Sequence, residues 1–226
     1  TLYQLYYLAS REPEKLQNTE MLLQIPDLFA YFLTGVKKGE RTNASTTNML
    51  NPVTREWDVE LLEKLGIPAR ILPPLVDAGI VYGSLRPGLC KELGLPEVPV
   101  IAVGTHDTAS AVVAAPAEEA DFVYISCGTW SLFGTESAVP VLTPESEAFN
   151  FTNEGGYAGT TRLLKNIMGL WLIQESRRQW KREGEEVSFN QLEQEALASK
   201  PFQCFVDVDA PEFEGPGDLP GHVKAY

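Results

Sequence analysis

Apolar residues at Leu2, Leu5, Tyr6 and Leu8 recur at helical spacing and predict a first helix that stops near Arg11-Glu12-Pro13. A second helix is expected after Pro26, with Asp27 in its first turn and Gly35 supplying a C-cap after Thr34. From Arg41 to Asn51 the chain is rich in Thr, Asn and Ser (RTNASTTNMLN), the composition of a polar loop or short edge element. Trp57-Asp58 opens a helix through Leu65 that Gly66 stops, and Ile80 to Tyr82 reads as a short strand before a turn at Gly83. Val98 to Val103 is a β-branched run followed at once by Gly104-Thr105-His106-Asp107 and the small residues from Ala109 to Ala115. Strand, tight turn and helix in that order are an α/β signature.

Beyond Pro116 and an acidic patch, Phe122 to Ser126 and Trp130 to Thr135 read as two strands around Cys127-Gly128-Thr129, a hairpin opening a second domain. Asn166 to Arg182 gives the clearest amphipathic pattern, a helix with Ile167, Leu170, Trp171 and Ile173 inward. Arg177, Arg178, Lys181 and Arg182 would lie toward its negative end. Phe189 to Ala198 is also helical in pattern, and turns are expected from there to Tyr226. The 226 residues suit two small domains, divided as 1–116 and 117–226.

Composition removes several function classes. Hydrophobic residues at 44% and charged residues at 22% exclude wholesale disorder. The net charge is −13, with 10 basic against 13 acidic residues up to Pro116 and 8 against 18 after it. Nucleic-acid binding through a basic face is therefore not expected, although a nucleotide needs only a local pocket of amides. No stretch reaches the ~18–20 apolar residues of a membrane span. Cys90, Cys127 and Cys204 form no close pair, which favours a reducing compartment, the cytoplasm, over a disulfide scaffold. With two histidines a histidine-rich metal site is not expected, and His106, Asp107 and Thr108 lack metal-ligand spacing. The start at Thr1 and the Gly/Pro-rich run from Gly215 to Gly221 near the other end lead to the expectation of a piece of a longer protein.

Four constellations carry candidate chemistry. At Gly104-Thr105-His106-Asp107-Thr108, glycine lets the chain turn sharply at a strand's carboxyl end, where open α/β sheets place ligands. A carboxylate ahead of a helix faces the positive end of its dipole; Asp107 there is either a plain helix cap or an acceptor of a hydroxyl proton. Ser126-Cys127-Gly128-Thr129-Trp130-Ser131 offers backbone amides and a hydroxyl to an anion, or is an ordinary hairpin turn. A third reading pairs Cys127 as nucleophile with His106 as base. On one helix, Asn166 and Gln174 would lie about 80° apart and about 12 Å along the axis, two amides lining one face or a cap and a boundary residue. Finally, Glu154 in Thr152-Asn153-Glu154-Gly155-Gly156 either binds a polyol or belongs to a surface turn.

Taken together, Asn43-Ala-Ser-Thr-Thr-Asn-Met-Leu, Gly104-Thr-His-Asp-Thr-Ala-Ser-Ala, Ser126-Cys-Gly-Thr-Trp-Ser-Leu, Asn153-Glu-Gly-Gly and Leu164-Lys-Asn-Ile-Met-Gly-Leu-Trp-Leu resemble the FGGY family of carbohydrate kinases. The last two are most similar to its rhamnulokinase branch. The resemblance implies two ribonuclease-H-like (actin/Hsp70-like) α/β domains flanking a cleft, both incomplete in this chain. Residues 1–116 would be the later part of a sugar-binding domain, and 117–226 the opening of a nucleotide-binding one. It further implies transfer of the γ-phosphate of Mg²⁺-ATP to the 1-hydroxyl of L-rhamnulose. By the motif match Asp107 would accept the proton, and His106, Asp107, Thr108 and Asn166 would bind the sugar. Thr129 would hold ATP phosphates and Gln174 would reach the ATP side. The family's N-terminal phosphate loop and C-terminal Gly-rich adenosine segment are absent from these residues. The 226-residue piece alone is therefore expected to turn over little, because phosphoryl transfer depends on positioning and charge stabilisation. The rivals are a kinase for L-fuculose or D-xylulose and a non-catalytic actin-like ATP-binding module.

Overall fold

A computed structural model describes residues 1–226 other than Ala120 and Thr129. The elements begin with α1 (Leu2–Arg11), α2 (Pro13–Gln17), α3 (Ile25–Thr34), β1 (Gly39–Glu40), α4 (Arg41–Ser45) and α5 (Val59–Lys64). Next come β2 (Leu75–Val76), β3 (Val81–Ser84), α6 (Pro87–Leu93), β4 (Pro99–Ile101) and α7 (Asp107–Ala114). They continue as β5 (Val123–Cys127), β6 (Trp130–Ser137), α8 (Pro144–Ala148), β7 (Thr152–Gly155) and β8 (Thr161–Met168), then α9 (Trp171–Arg182), α10 (Phe189–Ala198) and α11 (Leu219–Ala225). Strand β1 pairs parallel with β2, β3 pairs antiparallel with β4, and the last four strands follow the order β5-β6-β8-β7. Among the described residues no helix is long and apolar enough to cross a membrane. The chain separates into two compact units, residues 1–123 with 134–164, and residues 124–133 with 165–226.

The first unit is built on the core Leu5, Leu16, Met49, Leu62, Ile67 and Ile71, with Leu2 and Leu8 packed on it from α1. Tyr6, which the helical pattern placed with them, is half exposed. Helix α3 includes Pro26 in its first turn and ends at Gly35, whose φ of 81° is a left-handed cap open to glycine without strain. Asp58 caps α5 by accepting from the Leu61 N–H.

Two readings of this unit are corrected. The Thr/Asn-rich segment begins as helix α4 because the Glu40 carboxylate accepts from the N–H groups of Thr42 and Asn43 and so caps its first turn. Gly83 lies within β3 at a break in register with β4 rather than in a turn beyond it. A side chain there would sit 3.0 Å from Val36 Cγ2, so the position is closely packed.

The second unit is organised by α9, whose Trp171 and Leu172 pack on Ala210, Phe213 and Leu219. The indole N–H of Trp171 donates to the Phe213 carbonyl at 3.2 Å. The expectation of turns to the end of the chain therefore fails at α11: Asp218 caps it through the Gly221 N–H, and its first residue, Leu219, is fully buried. Glu175 is buried on α9 between Arg178, 2.7 Å away, and Arg182, 3.0 Å away. The hydrogen bond from Arg178 is the main cause that holds its carboxyl below the ordinary range. A depressed carboxyl stabilises the fold at pH above its unfolded value and loses that contribution as pH falls through its folded one. Glu175→Gln is expected to cost about 1 kcal/mol at neutral pH, since both arginines are half exposed. That cost should vanish in acid, as thermal melts of the pair across pH 3–7 will report.

Candidate active site

The first unit assembles its site around the turn from β4 into α7. His106 is the N-cap residue of α7 and Asp107 its first helical residue. The Asp107 carboxylate accepts from the Thr108 N–H at 2.7 Å, yet the side chain is 96% exposed. A charge fixed to the start of a helix and open to solvent can meet a ligand without further rearrangement. Thr108 is buried, with its hydroxyl 3.5 Å from the same carboxylate oxygen, so in this structure its contacts are with Asp107.

The turn is fixed from beneath by a buried carboxylate. Glu40 Oε2 accepts from the Thr105 N–H (3.0 Å), the Thr105 hydroxyl (2.9 Å), the Thr42 hydroxyl (2.5 Å) and the Asn43 N–H (3.2 Å). Its Oε1 accepts from the Thr42 N–H at 2.9 Å. The His106 N–H in turn donates to the Thr42 hydroxyl at 3.4 Å. Glu40 itself is anchored through its backbone N–H to Asp27, which also accepts from the Tyr82 hydroxyl at 2.6 Å. Burial raises the Asp27 carboxyl above its ordinary value, against the pull of those donors.

Beside the turn, Arg162 from β8 is fully buried. Its Nη2 donates to Glu154 Oε2 at 2.9 Å and to His106 Nδ1 at 3.0 Å, and its Nε donates to the Gly155 carbonyl at 3.2 Å. Glu154 thus sits not on a surface turn but on β7, which pairs with β8 from Thr152↔Leu164 to Gly155↔Thr161. The Gly155 N–H donates to Ser45 Oγ at 2.7 Å, tying β7 to α4. Arg41, Ser45, Arg55, Glu154 and Thr160 contribute to a narrow pocket of about 40 Å³ at this junction. Glu40 and Arg162 were not singled out from the sequence. Glutamate is an uncommon N-cap, and the one signal for Arg162 is a lone charge in the run Thr-Thr-Arg-Leu-Leu.

In the second unit Gln174 lies on the expected helix, and Asn166, expected to bind the sugar, does not. Thr129 lies outside the described residues. Asn166 is not on a helix: it is an exposed residue of β8, and the helix begins only after Gly169-Leu170. The two-turn relation with Gln174 on a shared helix is therefore withdrawn. The apolar spacing of Ile167, Leu170 and Trp171 imitates a helix, but β8 continues through Met168 and the close packing of Gly169 follows. A side chain on Gly169 would run into Ser131 Oγ and lie 2.7 Å from the Gly128 carbonyl oxygen. The Leu170 N–H donates to that same carbonyl at 2.9 Å, and the Gly128 N–H donates to the Trp130 carbonyl at 2.9 Å. The Gly128 turn is thus braced by the start of α9. Gln174, in the second turn of α9, lines an open groove of about 350 Å³ with Arg177, Arg178, Lys181 and Phe189. Among the described residues no three His, Cys, Asp or Glu side chains converge as a metal site.

Comparison with known proteins assigns the class. In three dimensions the chain superposes on the ligand-bound xylulose kinase from Lactobacillus acidophilus with a TM-score of 0.74, at 20% identity, over 88% of this chain and 39% of that one. Its fold is accordingly the ribonuclease-H-like (actin/Hsp70-like) α/β fold of sugar kinases. Residues 1–114 match the N-terminal domain of the FGGY family of carbohydrate kinases and residues 123–225 match its C-terminal domain; the chain belongs to that family. It is 42% identical over its whole length to a rhamnulokinase of Oceanobacillus iheyensis, covering 47% of that protein. It is 51% identical over 174 residues, 77% of the chain, to a rhamnulokinase of Pectobacterium atrosepticum, covering 34% of it. The chain thus spans about half or less of the length of these relatives.

Proposed function

We propose that this chain forms part of an ATP-dependent sugar kinase that phosphorylates the 1-hydroxyl of L-rhamnulose in the cytoplasm. The observation that carries the reading is the Asp107 carboxylate, open to solvent, held at the head of α7 and adjacent to His106. A carboxylate so placed can take the proton from a sugar hydroxyl as that oxygen attacks phosphorus. His106 and Asn166 hydrogen-bond the sugar, while Thr108 acts through Asp107. Thr129, beside Gly128, holds ATP phosphates, and Gln174 faces the nucleotide side. The groove beside Gln174 is lined by Arg177, Arg178 and Lys181 against one acidic residue, Glu186, a net positive lining that suits an anionic ligand. Magnesium, when bound, neutralises charge on the phosphates. It would be held mainly through the nucleotide's oxygens and carboxylates, in keeping with its preference for oxygen and water.

The intact protein is expected to phosphorylate L-rhamnulose with higher kcat/KM than L-fuculose or D-xylulose; a preference for D-xylulose would contradict the specificity. Gly169→Ala tests the nucleotide half separately. Its methyl group displaces the Gly128 turn, so KM for ATP should rise about 10-fold or more while the sugar dissociation constant stays put. An unchanged KM for ATP would remove that turn from the nucleotide site.

A further inference from the structure

We propose that Arg162 is a positioning residue that fixes the imidazole of His106 in the tautomer carrying its proton on Nε2. The inference rests on the reading of His106 as a sugar contact and adds what sets its hydrogen-bonding sense. A guanidinium has donors and no acceptor, so the 3.0 Å contact from Arg162 Nη2 makes His106 Nδ1 the lone-pair partner. The ring proton then belongs on Nε2, the nitrogen that lies 3.7 Å from Asp107 Oδ1. Glu154 Oε2 is farther from Nδ1, at 3.5 Å, and receives its close hydrogen bond from Arg162. The guanidinium is itself held by Glu154 and by the Gly155 carbonyl, so its direction is set by β7.

Two features set Arg162 apart from a residue retained for packing. It has zero exposure on β8, where Leu164 two residues on is equally buried and apolar. Its Nη1 is also buried and has no hydrogen-bond partner among the described residues. A buried cation with an unpartnered nitrogen is costly, and two uncharged side chains replacing Arg162 and Glu154 together would fill the same space at lower cost. What a hydrocarbon cannot do is donate to Nδ1. With Nε2–H beside the Asp107 carboxylate, the site presents one donor and one acceptor side by side. That arrangement matches a sugar hydroxyl, whose oxygen accepts from His106 while its hydrogen points to Asp107. The opposite tautomer would place two acceptors there.

The test is a double-mutant cycle in the intact protein, with sugar and ATP KM, kcat and thermal melts recorded for each variant. Arg162→Met should raise the sugar KM about 10-fold or more with ATP KM unchanged. His106→Gln offers an amide N–H with no tautomer to set, so in that background Arg162→Met should change the sugar KM less than about twofold. Equal effects of Arg162→Met in both backgrounds would overturn the inference. His106→Ala with an unchanged sugar KM would instead sink the sugar-contact reading, and this inference with it. Should Arg162→Met fail to fold, ¹⁵N imidazole spectra of the unsubstituted protein decide, with the His106 signals assigned by their loss in His106→Gln. A proton on Nε2 and a bare Nδ1 is the expected result, and a proton on Nδ1 alone refutes it.

Discussion

Asp107→Asn in the intact protein is expected to lower kcat for sugar phosphorylation by about 10²–10⁴-fold, the usual contribution of a general base. The sugar dissociation constant should change no more than about threefold. Asparagine keeps the volume of the side chain and an oxygen that can accept from the Thr108 N–H, so the head of α7 is left as it is. It cannot take up a proton at neutral pH. Because the side chain is 96% exposed, loss of packing cannot account for a fall in rate, and melts of the two proteins should differ by no more than about 4 °C, the effect of a charge lost at a helix N-terminus. Equilibrium sugar binding and steady-state rates on the same preparations separate the two effects. A protein that uses this fold only to bind nucleotide would be indifferent to the change.

Glu40→Ala is expected to have the largest effect on stability, about 3–5 kcal/mol, and to depress activity from a distance. The carboxylate accepts from three backbone N–H groups and two hydroxyls of Thr42, Asn43 and Thr105 in a fully buried position. Truncation leaves those donors unsatisfied and opens a cavity beneath the Gly104–Asp107 turn. The melting temperature should fall on the order of 10 °C. Hydrogen exchange should quicken at Thr105 and His106 before it does in α5, which Glu40 does not touch. A melting temperature within about 2 °C of the unsubstituted protein would show that the turn stands without this support.

The elements that could be read in the sequence were those set by local chemistry. Gly35 and Gly66 end helices through positive φ, Asp58 caps α5, and the β-branched run before Gly104 becomes β4 leading into α7. The candidate residue closest to these signals, Asp107, falls where the strand-turn-helix pattern puts it. The failures share a different cause. Asn166 sits on a strand because β8, which pairs with β7 from Thr161 to Leu164 and has β6 on its other side, continues to Met168, and such pairing is not encoded in local periodicity. Helix α11 depends on Leu219 reaching the core beside Phe213. Glu40 and Arg162 were invisible for a related reason: each acts on His106 or its neighbours across more than fifty residues of chain, through hydrogen bonds that no motif announces.

A ³¹P NMR time course tests most directly whether the Asp107 carboxylate draws the proton from the sugar as phosphorus arrives. The intact protein, with Mg²⁺-ATP and L-rhamnulose, should build up a sugar phosphate at C1 in step with ADP. The Asp107→Asn protein, at equal concentration and with sugar bound, should form essentially none over the same interval. C1 phosphate appearing at comparable rates from both proteins would contradict the account.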